Sequence, residues 1–340
     1  MAEYFSPGVY VEEFESSPRA IEGVGTSTGG FVGMAVKGPT IGAPSLVTSF
    51  ADFQRQFGGF LSEFTHGEYR YLAYSVEQFF INGGTRCYVS RVIPENAATA
   101  AAQVGILTLR AANEGKWGNR ILVAFTTANR RKLQLIRKEG PAVYVAKNAS
   151  GFGEGDLVEF AGELNRISAV FDNTITFEQD FEGDPVDTDL IPKKLLYSVE
   201  MDVTVRCDGE TETYAGCTLN PISNTYLADR LRSSKIIRVD SLEPSDEIAN
   251  PVSVLFGDGK LTGTIALSGG SDGTMDAVNA GVYIGKDNGP GNRTGISAFQ
   301  ENTVASIIAV PGVTIPEVLV SLVAHCENEK TRFAIIAAPQ

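Results

Sequence analysis

The chain has 340 residues, a length that fits two or three domains. Apolar residues make up 43% and charged residues 20%, which excludes a wholly disordered protein. The formal net charge of −13 argues against a protein that coats nucleic acid, because that binding depends on neutralising phosphates. We find no secretory signal and no apolar stretch that could span a bilayer, so we expect a chain folded in the cytosol.

Residues 1–22 predict an extended N-terminal arm. Apolar and polar residues alternate at period 2 between Pro7-Gly8 and Ser16-Ser17-Pro18, a pattern typical of a strand. The residues of this strand are Val9, Tyr10, Val11, Glu12, Glu13 and Phe14. No hairpin signal joins it to the next strand, so its partner must lie elsewhere in the fold or on another subunit. A frayed terminus is the alternative interpretation.

Residues 23–104 predict an α/β layer. A Gly/Thr-rich segment leads into a buried strand near residues 31–36, and a short strand follows at 46–48. Ser49 and Asp52 form a capping pair for a short helix with Phe50, Phe53 and Phe57 on one face. A longer helix is predicted from Glu68 to Ile81, followed by a strand over residues 87–92.

Residues 105–205 predict an inserted, mostly β domain that resembles a small barrel or sandwich. Turn signals separate short strands at regular intervals. The predicted strands cover residues 106–109, 121–125, 132–136, 143–146, 157–160, 167–170, 174–177 and 197–206. We expect this domain on the outer surface of an assembly, with Trp117 as a packing anchor at its junction.

Residues 206–340 return to mixed structure and complete the α/β domain. Ser223 is predicted to cap a helix that reaches Leu231. Residues 306–336 predict a strand–helix–strand unit with parallel strands. Thr314 and Glu317 are predicted to form a capping box at the start of the helix. The predicted fold class is therefore mixed α/β: a discontinuous α/β domain from residues 23–104 and 206–340, an inserted β-rich domain at 105–205, and the arm.

The sequence offers no constellation for catalysis, so we predict no enzyme, no cofactor and no metal site. The stretch at residues 257–260 lacks the first glycine and the Ser/Thr of a phosphate-binding loop, and no G-x-S-x-G elbow occurs. Cys326 is predicted to be a buried thiol and His66 a surface or capping residue. An acidic loop near residues 180–189 and basic clusters at 130–132 and 137–138 are interpreted as solvated surface.

Seven stretches, in the same order, resemble the tail sheath family of contractile phages and related contractile injection systems. The family's Pro-Gly-x-Trp-Gly-Asn loop is matched here with Glu114-Gly115 in place of Pro-Gly. The stretches are Tyr4–Glu13, Arg19–Thr28, Phe31-Val32-Gly33 with Lys37-Gly38-Pro39, Phe79–Gly84 with Arg86–Val89, Glu114–Asn119, Leu267–Gly273 and Arg332–Pro339.

The resemblance implies a structural subunit that stacks as hexameric rings around an inner tube and contracts to drive the tube through a cell envelope. It also implies that residues 9–14 add a strand to a sheet of a neighbouring subunit, through a linker that includes Pro18, Gly23 and Gly25. The implied partners are other copies of the chain, the inner tail tube protein, and the baseplate and tail terminator proteins, without nucleic acid or membrane insertion. The implied location is the virion tail, assembled in the host cytoplasm.

Family members usually continue beyond the Arg332–Ile336 strand into a domain that contacts the tube and accepts the arms. We therefore expect a C-terminally truncated chain that is monomeric in isolation. A tailocin or an extracellular injection system fits the motifs as well as a phage does. More distant alternatives are a tail tube or capsid protein, and a hydrolase or carbohydrate-binding protein with a β-domain insertion.

Overall fold

The structure is a computed structural model that describes residues 28–186 and 194–338. These residues form a mixed α/β fold with several β-sheets, which confirms the predicted class. A five-stranded sheet carries helices, and sheets of three, four and seven strands contain the β-rich part of the chain.

The five-stranded sheet has the order β19-β18-β1-β3-β2. Its strands are β1 (Thr28–Met34), β2 (Ser45–Val47), β3 (Arg86–Val92), β18 (Ile307–Ala309) and β19 (Phe333–Ile335). All are parallel except β2, which runs antiparallel to β3. Every residue of β1 is buried, as expected for a central parallel strand covered on both faces.

Helices cover the two faces of this sheet. One face packs α1 (Phe50–Phe57) and α3 (Tyr71–Ile81) on alternate residues of β1 and β3, such as Phe31 and Val89. The other face packs α6 (Ala280–Ile284) and α7 (Pro316–Glu329) on residues such as Val32 and Ile308. The remaining helix on this part of the chain is the short α2 (Glu63–His66). Short 3-10 helices lie at Gly67–Arg70, Lys116–Arg120, Met275–Ala277 and Gly295–Glu301.

The predicted strand–helix–strand unit is confirmed, but its capping box is wrong. Strands β18 and β19 are parallel neighbours, with Ile308 opposite Ala334. Helix α7 begins at Pro316, its N-cap is Ile315, and no side chain caps it. Because proline favours the first helical position, it sets the start one residue later than a Thr314 cap requires.

Sheets of three and four strands share one hydrophobic core. The three-stranded sheet, in the order β16-β5-β4, contains β4 (Ala101–Val104), β5 (Leu107–Ala111) and β16 (Ile237–Leu242). The four-stranded sheet, in the order β15-β14-β6-β17, contains β6 (Leu122–Ala128), β14 (Glu200–Cys207), β15 (Glu210–Cys217) and β17 (Thr262–Ala266). Two short helices, α4 (Leu227–Leu231) and α5 (Pro251–Phe256), pack against these sheets.

The seven-stranded sheet has its own core and the order β7-β13-β10-β11-β12-β9-β8. Its strands are β7 (Lys132–Leu133), β8 (Leu135–Gly140), β9 (Val143–Ala146), β10 (Leu157–Phe160), β11 (Glu163–Phe171), β12 (Thr174–Phe177) and β13 (Leu196–Ser198). In the chain they lie between β6 and β14, which are neighbours in the four-stranded sheet. Strands β15, β16 and β17 follow residue 205 and complete the sheets that β5 and β6 begin.

Several element boundaries differ from the predictions. The strand predicted over residues 197–206 is two strands that belong to different sheets, with Val199 between them. The helix predicted from Glu68 begins at Tyr71, after a 3-10 turn. Ser223 caps no helix, because its hydroxyl contacts Thr225 in the turn before α4.

Candidate assembly surfaces

The predicted arm and linker residues lie outside the described residues. These are Val9, Tyr10, Val11, Glu12, Glu13 and Phe14 of the strand, and Pro18, Gly23 and Gly25 of the linker. Their placement against a neighbouring subunit stays a prediction.

Motifs that are far apart in sequence meet at one place, here called the motif junction: residues 37–39, Arg91, residues 114–119 and residues 267–273. The loop at residues 114–119, which contains Trp117-Gly118-Asn119, is hydrogen-bonded to the loop at residues 267–273, which contains Gly269-Gly270. The side chain of Asn119 donates to the Gly270 carbonyl at 2.8 Å and accepts from the Gly270 amide at 2.7 Å. The Lys116 amide donates to the Asp272 carboxylate at 2.8 Å.

The backbones of the two loops approach so closely at this junction that glycine is required at two positions. A Cβ on Gly270 would lie 2.5 Å from the Gly115 carbonyl oxygen, so a larger residue would push the two loops apart. Gly115 itself has a φ of 133°, a conformation that side chains with a Cβ rarely adopt. The glycines therefore serve the fit between two loops and make no phosphate cradle.

Arg91 on β3 fastens the five-stranded sheet to this junction. Only 2% of the residue is exposed, and its guanidinium donates to backbone carbonyls. The acceptors are Ala35 at 3.0 Å, Gly38 at 2.9 Å and Glu114 at 2.9 Å, with Val36 at 3.5 Å. Burial lowers the pKa of Arg91 to about 10, which leaves the group charged at neutral pH.

Trp117 occupies the same junction. Its ring is buried in the core shared by the three- and four-stranded sheets, and its indole N–H donates to the Glu114 carbonyl at 3.2 Å. That carbonyl also accepts from Arg91. Trp117 is therefore a buried packing residue, in agreement with its predicted role as an anchor.

A second buried arginine, Arg332, fastens β19 to the elements beneath it. Its guanidinium donates to the carbonyls of Phe299 and Asn302 and lies 2.7 Å from His325 Nε2. Burial is the main cause that lowers the pKa of His325, and the neighbouring Arg332 charge lowers it further. His325 is thus held neutral, with Nε2 as the acceptor.

The sequence predicts that the basic cluster at residues 130–132 is solvated surface. This prediction is wrong for Arg131. Arg131 bridges two buried carboxylates, Glu200 and Asp156, and its guanidinium stacks on the Phe152 ring. The Arg131 amide also donates to Ser198 Oγ at 2.9 Å. This arginine thus joins the start of the seven-stranded sheet to β14. Sequence reasoning missed this role because neither carboxylate is near it in the chain.

The prediction that His66 is a surface or capping residue is wrong for the surface; His66 does occupy the N-cap position of the Gly67–Arg70 turn, but its side chain makes no capping hydrogen bond. His66 is buried, and its Nδ1 lies 2.7 Å from the Thr65 hydroxyl. Burial is the largest cause that lowers its pKa. The four cysteines are buried free thiols, which confirms the prediction for Cys326. The described residues contain no cluster of His, Cys, Asp or Glu that could hold a metal ion.

A cleft of about 970 Å³ opens between the α1 region and the three-stranded sheet; we call it the cationic cleft. Its five cationic side chains are Lys37, Arg55, Arg110, Lys235 and Arg238, and its carboxylates are Asp52, Glu114 and Glu210. Two of these carboxylates are already paired, Asp52 with Arg55 and Glu210 with Lys37.

The ionisation of Asp52 argues against a general-acid role for this one carboxyl. Burial alone would raise its pKa, but hydrogen bonds from Gln56, Thr48 and Arg55 lower it below its ordinary value. A general acid needs a carboxyl with a raised pKa. Cationic side chains outnumber carboxylates in the lining of the cleft by five to three, but Arg110 pairs with Asp240 and the Lys235 amide donates to the Glu212 carboxylate, so carboxylates just outside the lining offset this excess.

An uncovered apolar surface lies at the β19 end of the five-stranded sheet. Phe333 and Ile335 project from the face that carries α1 and α3, and the two side chains are 64% and 56% exposed. Ile336 is 50% exposed beside them. Among the described strands, β19 pairs only with β18, so its outer edge is open. Such an edge is a site for strand addition.

No helix in the described part of the chain is long and apolar enough to cross a membrane. Comparison with protein-family models gave no match, and comparison with curated proteins gave none either.

Solved structures that resemble this chain include two tail sheath proteins. One, from Desulfitobacterium hafniense, is 15% identical and matches 96% of this chain and 51% of its own length, with a TM-score of 0.40. The other, from Listeria innocua, is 13% identical and matches 88% of this chain and 44% of its own length, with a TM-score of 0.42. The chain thus spans about half the length of these structures.

Proposed function

We propose that this chain is a structural subunit of a contractile tail sheath. One observation carries the proposal: sheath-like motifs separated by up to about 230 residues meet in a single hydrogen-bonded junction. If the motif residues served a chemical step, they would be expected to converge on an accessible reactive group. These residues instead satisfy one another's backbone atoms, as expected of residues that hold parts of a structural subunit together.

In this proposal the subunits stack as hexameric rings around an inner tube and drive it through a target envelope when the sheath shortens. The strand at residues 9–14 adds to a sheet of a neighbouring copy, and residues 15–25 act as its tether. Backbone hydrogen bonds across such an added strand tolerate sequence change and persist while subunits slide. The β-rich insertion at residues 105–205 faces outward, where added bulk disturbs the assembly least.

The uncovered end of the five-stranded sheet supports a role in assembly. Parallel sheets are ordinarily covered on both faces, yet Phe333, Ile335 and Ile336 are exposed. Exposed apolar surface beside an open edge is typical of a surface that associates with more polypeptide. The inner tube, the baseplate and the tail terminator are the further partners we propose. A phage, a tailocin and an injection system would use the same mechanics.

Electron microscopy tests the proposal. We would compare the product of the longest reading frame containing this chain, alone and with its inner tube protein, with the same product carrying Val9→Pro and Val11→Pro. Rings or tubes are expected from the unaltered product, and their loss is expected in the proline variant, because proline cannot donate a ladder hydrogen bond. Ser16→Pro with Ser17→Pro, beyond the strand, is the matched control. Dispersed particles from the unaltered product under both conditions would contradict the proposal.

A further inference from the structure

We propose that a cavity between the seven-stranded sheet and α5 binds a short aliphatic diamine. The cavity, here called the crease cavity, has a volume of about 150 Å³. One wall consists of residues 155–157 and Arg166 of the seven-stranded sheet and the turn before it. The opposite wall consists of residues 218–221 and 245–247 and of α5. The inference concerns this site alone and does not depend on the proposed function.

One buried polar group in the wall of the crease cavity has no hydrogen-bond partner within the described chain. Thr218 is only 5% exposed, and its hydroxyl makes no hydrogen bond there. Its backbone is satisfied, since the amide donates to Thr225 and the carbonyl accepts from Leu227. Because burying an unpaired hydroxyl is unfavourable, this group marks a position where a bound molecule completes the hydrogen bonding.

A buried carboxylate in the same cavity wall also has accepting capacity left. Asp156 is 3% exposed, and its Oδ2 accepts from the Arg131 guanidinium at 3.0 Å. Its Oδ1 has only a 3.3 Å contact from the Asn220 amide within the described residues. A carboxylate oxygen can accept two hydrogen bonds, so Oδ1 can take another donor. Thr218 and Asp156 together therefore call for a ligand group that donates.

Carboxylates outnumber cations around the crease cavity, and the excess persists when the ion-pair partners of the lining groups are counted. Neither Asp246 nor Glu247 has an ion pair within the described part of the chain, and both are exposed at the rim. The complete set is Asp156, Glu178, Glu200, Asp246 and Glu247 against Arg131 and Arg166. Five carboxylates against two guanidinium groups favour a cationic ligand.

The size and the apolar part of the lining select an organic cation. A cavity of about 150 Å³ holds a molecule of roughly benzene size, about six heavy atoms. Hard metal ions need six or more oxygen ligands, and the described residues contain no His, Cys, Asp or Glu cluster that could hold a metal. The apolar lining residues are Leu157, Val199, Leu219, Pro251 and Val254.

A diamine satisfies both polar regions of the crease cavity. An ammonium group carries three donors and no acceptor, so one end can donate to Thr218 Oγ1 and to Asp156. The other end faces the rim carboxylates Asp246 and Glu247, and the methylene chain lies against the apolar lining. The molecule 1,4-diaminobutane has the size that the volume allows. Its binding would add a contact between two walls that are joined directly by Asn220 to the Glu154 carbonyl and by Arg166 to the Glu247 carbonyl.

Calorimetric titration of the full chain tests the ligand class. We expect 1,4-diaminobutane to bind at one saturable site. Butylamine, which keeps one ammonium group, should bind at least tenfold more weakly, and 1,4-butanediol, which keeps the length without charge, should not bind. No saturable binding of the diamine, or equal affinity for the diol, would overturn the inference.

Variants test the position of the site. Thr218→Val keeps nearly the same shape and removes an unpaired hydroxyl, so we expect an unfolding midpoint no lower than that of the unaltered chain. It should weaken diamine binding at least tenfold and bring it close to the affinity for butylamine. Asp246→Asn with Glu247→Gln should also weaken binding at least tenfold.

The matched control is Glu317→Gln with Glu327→Gln, which removes the same charge from two exposed positions on α7. This pair should leave diamine binding unchanged. Unchanged binding in Thr218→Val, or weakening by the control pair equal to that of the rim pair, would overturn the inference. Sheath assembly by the longer product is measured separately, so loss of this site leaves the proposed function standing.

Discussion

Replacing Arg91 by methionine should weaken the motif junction more than any surface arginine change. Two carbonyls, those of Ala35 and Gly38, accept from this guanidinium at 2.9–3.0 Å and would lose that donor, whereas the Glu114 carbonyl keeps the Trp117 indole N–H. A buried acceptor left unpaired costs about 1–3 kcal/mol, so two of them give a gross loss of about 4 kcal/mol. Removing a buried charge returns part of this cost as relieved desolvation, and methionine fills most of the stem volume. The expected net loss is about 3 kcal/mol.

The single tryptophan of the chain lies at the junction, so its fluorescence can measure this loss of stability there. Trp117 donates to the same Glu114 carbonyl that Arg91 contacts, so its fluorescence reports this joint during urea unfolding. With a slope of about 2–3 kcal/mol per molar urea, the midpoint should fall by about 1 M. Arg110→Met, which breaks only an exposed pair with Asp240, should cost less than about 1 kcal/mol. Equal shifts for the two variants would refute the reasoning.

Two further predictions concern buried titratable groups. The four thiols should be unreactive toward a disulfide reagent at pH 8 in the folded chain and should all react in urea. The reason is that burial raises the pKa of each thiol, that of Cys87 to about 12. Rapid reaction of any thiol in the folded chain would contradict this. Stability should fall as the pH drops from about 7 to 5, because the pKa of His325 is lowered in the folded state and the unfolded chain, with the ordinary value of 6.5, takes up the proton first. His66, whose pKa is also lowered by burial, contributes to the same slope, so His325→Gln, which keeps an acceptor for Arg332, should reduce the slope in urea titrations without removing it. An unchanged slope would show that His325 does not contribute to it.

Local signals predicted the local structure well. The Ser49 hydroxyl accepts from the Asp52 amide at 3.1 Å, as the capping pattern indicated. Strands β9, β10 and β12 have the predicted bounds, because turn residues flank each of them. Even the parallel pairing of β18 with β19 followed from a short apolar strand, a helix and a second strand.

Contacts between distant parts of the chain were not predictable, because no local sequence pattern identifies both partners of such a contact. Arg91 sits in an ordinary strand pattern, and nothing near it in sequence shows that it is buried among carbonyls. Arg131 was read with its basic neighbours as a charged surface, although its partners lie 25 and 69 residues away. The cationic cleft was not predictable for the same reason, since its cations come from four separate stretches of the chain.

Salt should leave the stability of the motif junction nearly unchanged. The Arg91 contacts are buried and end on carbonyl groups, so ions in solution screen them little. The Debye length falls from about 10 Å at 0.1 M to about 3 Å at 1 M salt, which weakens exposed ion pairs such as that of Arg110 with Asp240. Raising NaCl from 0.1 to 1 M should therefore leave the unfolding midpoint reported by Trp117 within about 0.3 M urea. A larger fall of this midpoint would show that the junction depends on screened charges, and would contradict its assignment as a carbonyl-bound joint.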